Sequence, residues 1–260
     1  MILTDTHTHL YSEAFDDDRG VLIQRALQVG VKRFFLPNID STSIEKMLSL
    51  KNQFPERFFP MIGLHPCSVK ENYKHELSLV EQWLEKEKFY AVGEIGIDLY
   101  WDKTFFEQQK DAFVIQAKWA SERNLPLVIH TRNSFPEIHN LLLEIKNKIT
   151  NTDSLKGIFH CFNGTLEDAK KVIELGFHLG IGGVVTFKNS GLDKIVSVID
   201  LKHIVLETDA PYLAPVPYRG KRNESSYLSL IAEKIAMLHQ ISVEKVAEIT
   251  TENSRYIFGI

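Results

Sequence analysis

Residues 125–148 read "LPLVIHTRNSFPEIHNLLLEIKNK" and contain one complete strand and helix unit. The apolar run at the start is short and rich in branched residues, which is typical of a buried parallel strand. The segment that follows has apolar residues at the i, i+3, i+4 and i+7 spacing of an amphipathic helix. His130 and Arg132 lie where the predicted strand ends. The rest of the chain repeats this unit.

Seven further apolar runs have the same character and are separated by segments of helical periodicity. They are "ILTDTHTH" (2–9), "KRFFLPNI" (32–39), "FFPMIGLHP" (58–66), "YAVGEIGID" (90–98), "GIFHCF" (157–162), "HLGIGGVV" (178–185) and "HIVLETDAP" (203–211). Alternating strands and helices predict an α/β fold with a parallel sheet. No linker or shift of composition divides the chain. We therefore predict one domain over residues 1–260, folded as a single (β/α)8 TIM-type barrel.

Composition excludes several classes of protein. The formal charge of −4 argues against a broad basic face that coats nucleic acid. Cys67 and Cys161 are too few for a disulfide framework, and no C-x-x-C zinc motif occurs. No apolar run approaches the ~20 residues of a membrane span, and no basic stretch with an apolar leader opens the chain. We expect a cytoplasmic monomer with no membrane partner.

Polar residues recur where the predicted strands end. Barrel enzymes carry their active sites at this edge, and His7 and His9, at i and i+2, would project from the same face of a strand. The residues at strand ends are His7, His9, His65, Glu94, Asp98, His130, Arg132, His160, Glu207 and Asp209. The alternative is a set of unconnected structural histidines, but those should fall as often in helices and at strand starts. The sequence therefore predicts a metal site at the C-terminal rim.

The predicted donors outnumber the ligands of one zinc ion. A catalytic zinc takes about three protein ligands and keeps one position open, whereas the rim offers four histidines with two or three carboxylates. A dinuclear site is the natural interpretation. Glu94 lies on a middle strand and could bridge two cations through its two oxygens. Asp209 would lie beside His7 and His9, because strand eight of a barrel neighbours strand one.

With these residues in place, the chain resembles the TatD family of metal-dependent deoxyribonucleases, within the amidohydrolase-like superfamily. The matching stretches are "DTHTHL", "IGLHP", "VGEIGIDLYW", "LPLVIHTR", "GIFHCFNGT", "LGIGG" and "LETDAPYLAPVPYRGKRNE", in order from residue 5 to residue 224. The resemblance implies a TIM-type barrel, two divalent cations (Mg²⁺, Mn²⁺ or Zn²⁺) and DNA as the substrate, cleaved from the 3′ end. Asn163 and Ser225 depart from the family pattern, where Ser and Pro are usual, and bear on substrate preference rather than on metal binding.

The resemblance also implies the metal ligands, which are His7, His9, Glu94, His130, His160 and Asp209. Our hypothesis is that His7, His9 and Asp209 hold one cation, that His130 and His160 hold the other, and that Glu94 bridges them. Glu94 and Asp209 are then the catalytic residues, with Asp209 orienting the attacking water or accepting its proton.

Other rim residues are expected to bind substrate. His65 would reach a phosphate without coordinating metal, although a core role is open. Arg132 would pair with phosphate oxygens, unless it pairs with a rim carboxylate. Arg219 and Lys221 lie in the loop after strand eight and would clamp phosphate, unless they are only solvated.

The remaining expectations concern side chains around the metal. Glu207 would hydrogen-bond a ligand histidine, or lie in an interior polar layer. Tyr100, Trp101 and Tyr212 could stack on an unpaired base or only pack. Cys161 follows His160 directly, so strand alternation predicts that its thiol faces the helices.

Two other functions remain open from the sequence. Similar barrels hydrolyse small phosphoesters, lactones and amides, so a small-molecule hydrolase is one alternative, and the fold alone does not exclude it. The other is a non-catalytic metal-binding protein, against which the complete ligand set argues.

Overall fold

The structure is a computed structural model that describes residues 1–148 and 155–260. Within these residues eight strands are present, as predicted: β1 (Leu3–Asp5), β2 (Val31–Pro37), β3 (Phe58–Met61), β4 (Val92–Asp98), β5 (Leu127–Arg132), β6 (Gly157–Phe159), β7 (Phe177–Ile181) and β8 (Ile204–Leu206). Several strands are shorter than the apolar runs that predicted them. The single predicted domain also covers residues 149–154, which lie outside the described residues.

Helices follow the strands along the chain. Those that the structure describes are α1 (Arg19–Gln28), α2 (Ser41–Gln53), α3 (Tyr73–Lys86), α4 (Phe106–Arg123), α5 (Phe135–Lys148), α6 (Leu166–Glu174), α7 (Leu192–Val196), α8 (Leu228–His239) and α9 (Val243–Phe258). Helix α7, between β7 and β8, spans only five residues. None of the helices in the described part of the chain combines the length and apolar character that a bilayer crossing requires.

All strand pairs are parallel, but they form two sheets rather than one. β1, β2 and β3 form a sheet of three strands, and β4 to β8 form a sheet of five. The sheets meet at two seams through isolated parallel bridges, Thr8 with Ala210 and Ile62 with Val92. At the first seam the amide of Thr6 also donates to the carbonyl of Leu206 at 3.0 Å. The parallel order was predicted correctly, and an uninterrupted closed barrel stays a prediction.

The strands enclose an apolar cluster of their own. Phe35, Phe59, Val128, Ile158 and Val205 come from five different strands and pack on one another, so their side chains share one interior. α9 closes this cluster, because the ring of Phe258 stacks on Phe35 with centroids 3.8 Å apart. A second, larger core lies between strands and helices.

A glycine allows β4 and β5 to approach closely. Gly96 has φ +151°, and a Cβ atom there would lie 1.9 Å from the carbonyl oxygen of its β5 partner His130. Only glycine avoids that overlap in this backbone conformation. The strands that carry Glu94 and His130 can therefore approach this closely only because residue 96 has no side chain.

Candidate metal centre

The histidines and carboxylates predicted at the rim converge, although the strands are shorter than expected. β1 ends at Asp5, so His7 and His9 lie in the segment after the strand and do not share a strand face. This part of the prediction was wrong, because the regular pairing with β2 ends at Asp5. Thr8 then bridges Ala210 beside β8, while its amide still donates to the carbonyl of Phe35 at 3.0 Å. The two rings still reach one site, with centroids 5.2 Å apart.

The carboxylate of Glu94 lies at the centre of the cluster. Five imidazole nitrogens lie within 4.0 Å of its oxygens: His130 Nδ1 at 2.9 Å, His7 Nε2 at 3.1 Å, His65 Nε2 at 3.3 Å, His160 Nε2 at 3.7 Å and His9 Nε2 at 4.0 Å. Asp209 Oδ1 lies 3.6 Å from His9 Nε2 and 3.8 Å from the Nε2 atoms of His7 and His160. The three distances to Asp209 exceed hydrogen-bond length, so these nitrogen and oxygen atoms face a common point without bonding to one another.

In both His130 and His160, the ring nitrogen that points away from Glu94, here called the outer nitrogen, lies beside a second carboxylate. Asp98 Oδ2 is 2.9 Å from Nε2 of His130, and Glu207 Oε1 is 3.0 Å from Nδ1 of His160. Carboxylates in this position fix the ring and raise the basicity of the nitrogen that faces the metal. Nδ1 of His130 and Nε2 of His160 are thereby turned towards Glu94.

A tyrosine does the same for His9. The hydroxyl of Tyr11 donates to the carbonyl of Pro37, so its oxygen is free to accept a hydrogen bond from Nδ1 of His9 at 3.0 Å. With its proton on Nδ1, His9 presents the lone pair of Nε2 to the cluster. That is the form of imidazole that binds a metal ion.

His65 is set up differently from the other histidines. Its Nδ1 accepts a hydrogen bond from the amide of Cys67 at 3.0 Å. A neutral ring in that tautomer carries its proton on Nε2, the atom that lies 3.3 Å from Glu94. His65 therefore presents a donor to the cluster, which suits contact with an anion.

The side chains present fit divalent cations. Both ring nitrogens of His7 are buried without a hydrogen-bond partner among the described residues, although Nε2 lies 3.1 Å from Glu94. Buried polar atoms are normally satisfied, and a cation between Nε2 of His7 and the carboxylate of Glu94 would satisfy that nitrogen. Imidazole with carboxylate suits zinc, cobalt or nickel, while the carboxylates also suit magnesium or manganese.

Burial and neighbouring charge shift the pKa values of these groups. Burial alone would raise the pKa of Glu94, but the surrounding imidazoles outweigh it and hold that pKa well below its usual range. Burial raises the pKa of Asp209 to about 7. Burial opposes protonation of His160, yet Glu207, Glu94 and Asp209 raise its pKa to about 10. Without cations the centre therefore holds protons that metal binding would displace.

Arg132 lies beside the centre without an acidic partner. Its guanidinium carbon is 3.9 Å from the ring centroid of Tyr100 and 5.2 Å from that of Trp101. Within the described residues no carboxylate pairs with it. The aromatic rings support the plane of the guanidinium while its N–H groups stay available.

The basic residues of the loop after β8 (residues 219–222) lie in two different environments. Arg219 lies over the ring of Phe187 at 4.5 Å, and both Arg219 and Lys221 are exposed. Arg222 instead binds the carboxylate of Asp18 and the carbonyl of Ala14. Nearer the centre, the ring of Tyr212 lies 6.0 Å from that of His9.

The structure corrects the expectation for Cys161. Its backbone has φ +48°, which breaks strand alternation directly after β6. The Cys161 thiol therefore faces the centre, with ligand atoms of His160 and Asp209 within 4.8 Å. The carboxylate of Glu207 stabilises this turn, because it accepts a hydrogen bond from the amide of Cys161 at 2.6 Å.

Two contributors were missed from the sequence. Asp98 was recognised at the end of its strand but given no role, although its period-two spacing from Glu94 could have placed both on one face. Tyr11 gave no such signal, because its contact with His9 depends on the turn after β1. Of the two departures from the family pattern, Asn163 lines a cavity beside Cys161, and Ser225 donates to the buried carboxylate of Asp5 at 2.7 Å.

Comparison with known sequences shows a match over nearly the whole chain. The family model described as "TatD related DNase" matches residues 4–259. The chain is 36% identical to the uncharacterized metal-dependent hydrolase YabD of Bacillus subtilis strain 168, covering all of both chains. It is 28% identical to the 3′-5′ ssDNA/RNA exonuclease TatD of Erwinia tasmaniensis, over 98% of this chain and 99% of that one.

Comparison with solved structures gives the same relationship. The crystal structure of YjjV, a TatD homologue from Escherichia coli K12, superposes with a TM-score of 0.91 at 26% sequence identity. The match covers 99% of this chain and 98% of that one.

Proposed function

Because the chain belongs to the TatD-related DNase family and is a metal-dependent hydrolase, we propose that it hydrolyses phosphodiester bonds of single-stranded DNA from the 3′ end. The supporting observation is Arg132. Among the described residues Arg132 has no acidic partner. Its guanidinium carbon lies 3.9 Å from the ring centroid of Tyr100, and in the strand register it lies opposite Asp98, so it suits the oxygens of a phosphate. A neutral lactone or amide would give this guanidinium no counter-charge.

The proposed centre holds two divalent cations at the rim of a closed barrel. His7, His9 and Asp209 would bind one cation, His130 and His160 the other, and Glu94 would bridge them. When bound, the cations supply a water of lowered pKa and neutralise charge on the phosphate.

The protein groups would then position the reactants. Asp209 orients the attacking water and accepts its proton as the oxygen bonds to phosphorus and the ester oxygen leaves. His65 donates from Nε2 to a phosphate oxygen, which follows from the tautomer that the Cys67 amide fixes. Arg132 binds the same phosphate in a forked contact.

Arg219 and Lys221 would contact the next phosphates along the strand. Both are exposed in the loop that follows Asp209, and the described residues include no ion-pair partner for either. Their contribution would be electrostatic, so it should weaken as the salt concentration rises.

The test is cleavage of a single-stranded oligodeoxynucleotide labelled at its 5′ end, with Mg²⁺, Mn²⁺ or Zn²⁺. We expect a metal-dependent ladder that shortens from the 3′ end. Glu94→Gln should abolish it, because an amide cannot bridge two cations as a carboxylate does. Arg132→Lys keeps the charge but loses the flat fork, and should raise KM about tenfold.

The alternatives give different results. A folded, metal-loaded protein that leaves the oligonucleotide intact but cleaves small esters would support the small-molecule hydrolase. Metal binding without hydrolysis of either substrate would support the non-catalytic protein. Cuts within the strand, with no shortening from the 3′ end, would contradict the exonuclease direction alone.

A further inference from the structure

A cavity of about 260 Å³ opens between the segments that follow β5 and β6. Its wall includes Asn133, Phe135, Phe162 and Asn163, and Cys161 lies where it adjoins the metal cluster. Because Cys161 Sγ lies within 4.8 Å of ligand atoms of His160 and Asp209, the cavity begins one side chain away from the reacting centre. A group bound there would be part of the nucleotide being cleaved or of its neighbour.

The lining of the cavity is uncharged. None of the described residues that form it is acidic, basic or a histidine, and two of them are phenylalanines. A second cavity on the rim, of about 210 Å³, contrasts with it because Lys70, Asp98 and Asp102 line that one. A phosphate would gain little from the uncharged cavity, whereas a flat neutral heterocycle would be shielded from water there.

Two of the polar residues that line the cavity, beside Thr131 and Ser134, carry carboxamides. Asn133 and Asn163 are both exposed, and the carboxamide of each offers two donor hydrogens and an acceptor oxygen to a bound group. Carboxamides pair with the edges of bases, whose donors and acceptors alternate in the same way. Asn133 also has φ +56°, a conformation that asparagine tolerates better than most residues.

Arg132 links this cavity to the phosphate position. Its neighbours Thr131 and Asn133 both line the cavity, while its guanidinium lies on Tyr100 and Trp101. The proposed phosphate contact and the cavity therefore belong to the same short stretch of chain after β5.

We propose that this cavity is a nucleobase subsite, which takes one unpaired base adjacent to the scissile phosphate. The inference rests on the proposed nuclease function and adds to it a reason for single-stranded substrates. A base that enters this cavity has left the stack of its duplex, so it cannot remain paired.

The test compares oligodeoxynucleotides that differ by one base. Each is labelled at its 5′ end and carries an abasic unit at the 3′-terminal or the penultimate position. For the wild type we expect kcat/KM to fall about tenfold for one of these positions, in line with the loss of stacking on one base. In the double variant Asn133→Gly, Asn163→Ala the difference should shrink to less than twofold. Glycine at position 133 keeps the left-handed backbone.

Controls separate folding from recognition. Asn140→Ala on the exposed face of α5 should keep the full discrimination between normal and abasic strands. Asn163→Ala alone changes an exposed side chain and should reduce the discrimination if the double variant does not fold. Fluorescence anisotropy of the metal-loaded wild type, on strands with cleavage-resistant phosphorothioate linkages, measures binding without turnover, and the normal strand should bind about tenfold more tightly than the abasic strand.

Each outcome decides between the two proposals. Equal cleavage of normal and abasic strands would overturn the subsite and leave the nuclease function standing. No cleavage, combined with base-dependent binding that the Asn variants remove, would support the subsite and contradict the proposed reaction. Neither cleavage nor base-dependent binding would overturn both.

Discussion

At the scale of single residues, the candidate centre depends on which nitrogen of each imidazole is already engaged. Tyr11 and Asp98 engage the outer nitrogens of His9 and His130, and both rings then turn their other nitrogen towards Glu94. His65 instead accepts a hydrogen bond from a backbone amide at Nδ1, so its proton lies on Nε2, the nitrogen that faces Glu94. Histidines that look equivalent in the sequence therefore have different chemistry.

Asp98→Asn tests this support. The asparagine is nearly the same size but carries no charge to raise the basicity of His130, so we expect the affinity for Zn²⁺ or Mn²⁺ to fall 10- to 100-fold. Calorimetric titration of chelator-stripped protein measures it. Asp17→Asn, at an exposed position in the segment before α1, is the control and should bind as the wild type does. Equal affinities for all three proteins would contradict a role for Asp98.

His178 on β7 gives a residue-scale prediction far from the metal centre. Burial, with the nearby His203, lowers the pKa of His178 to about 4 from its ordinary value of 6.5. Between these values the unfolded chain binds more protons, so the free energy of unfolding decreases as the pH falls from 6.5 towards 4. We expect His178 to account for about 2 kcal/mol of that loss, given its partial exposure.

The measurement is urea unfolding of wild type and His178→Gln at pH 7 and pH 4.5. Glutamine does not titrate, so the variant should lose less stability between the two pH values. Parallel losses in the two proteins would show that His178 does not carry this pH dependence.

At the scale of elements, the β4–β5 pair organises one half of the site. In its register Gly96 lies opposite His130, and Asp98 lies opposite Arg132. Glu94 and Asp98 thus flank His130 at 2.9 Å on either side of its ring. The close approach at Gly96 sets these distances, so a side chain there should affect the fold and the centre together.

Gly96→Ala should destabilise the protein by at least about 2 kcal/mol, because the new Cβ would overlap the carbonyl of His130 in a backbone conformation that alanine avoids. It should also weaken metal binding in whatever fraction remains folded. Gly20→Ala is a matched control within α1, where a Cβ meets no atom within 4 Å, and it should be neutral or slightly stabilising. Urea unfolding and metal titration of both variants provide the test, and similar stabilities would contradict the close-approach argument.

At the scale of the whole molecule, the centre joins chain segments that are far apart in sequence. His7 and Asp209 are linked at the seam, where the amide of Asp209 donates to the carbonyl of His7 at 2.9 Å, and Glu94 draws in donors from the middle of the chain. A cation bound by this set would bind the folded state and not the unfolded chain. Metal binding should therefore stabilise the entire fold.

Metal removal measures that coupling. At a free cation concentration 100 times the Kd, binding adds about 2.7 kcal/mol to the free energy of unfolding, so stripping with EDTA should lower the Tm by roughly 5–10 °C for a chain of this size. In Glu94→Gln the Tm should respond far less to EDTA. A wild-type Tm that is unchanged by EDTA, with metal binding shown independently, would contradict the coupling.

The sequence by itself determined the order of the eight strands and the choice of polar residues at their ends. Both follow from local patterns: short apolar runs alternate with amphipathic helices, and candidate ligands such as Glu94 and His130 come towards the ends of runs. The family was also identifiable from these stretches, because their order extends over most of the chain.

Only the tertiary structure decided how those residues meet. The turns after β1 and β6 direct His7, His9 and the Cys161 thiol towards the centre. Strand alternation does not predict these directions, because all three residues lie beyond the ends of their strands. The same is true of the Tyr11 contact and of the cavity beside Asn133, because neighbours distant in sequence create both. Local patterns fix which residues are available, while close contacts between segments fix their directions and their proton positions.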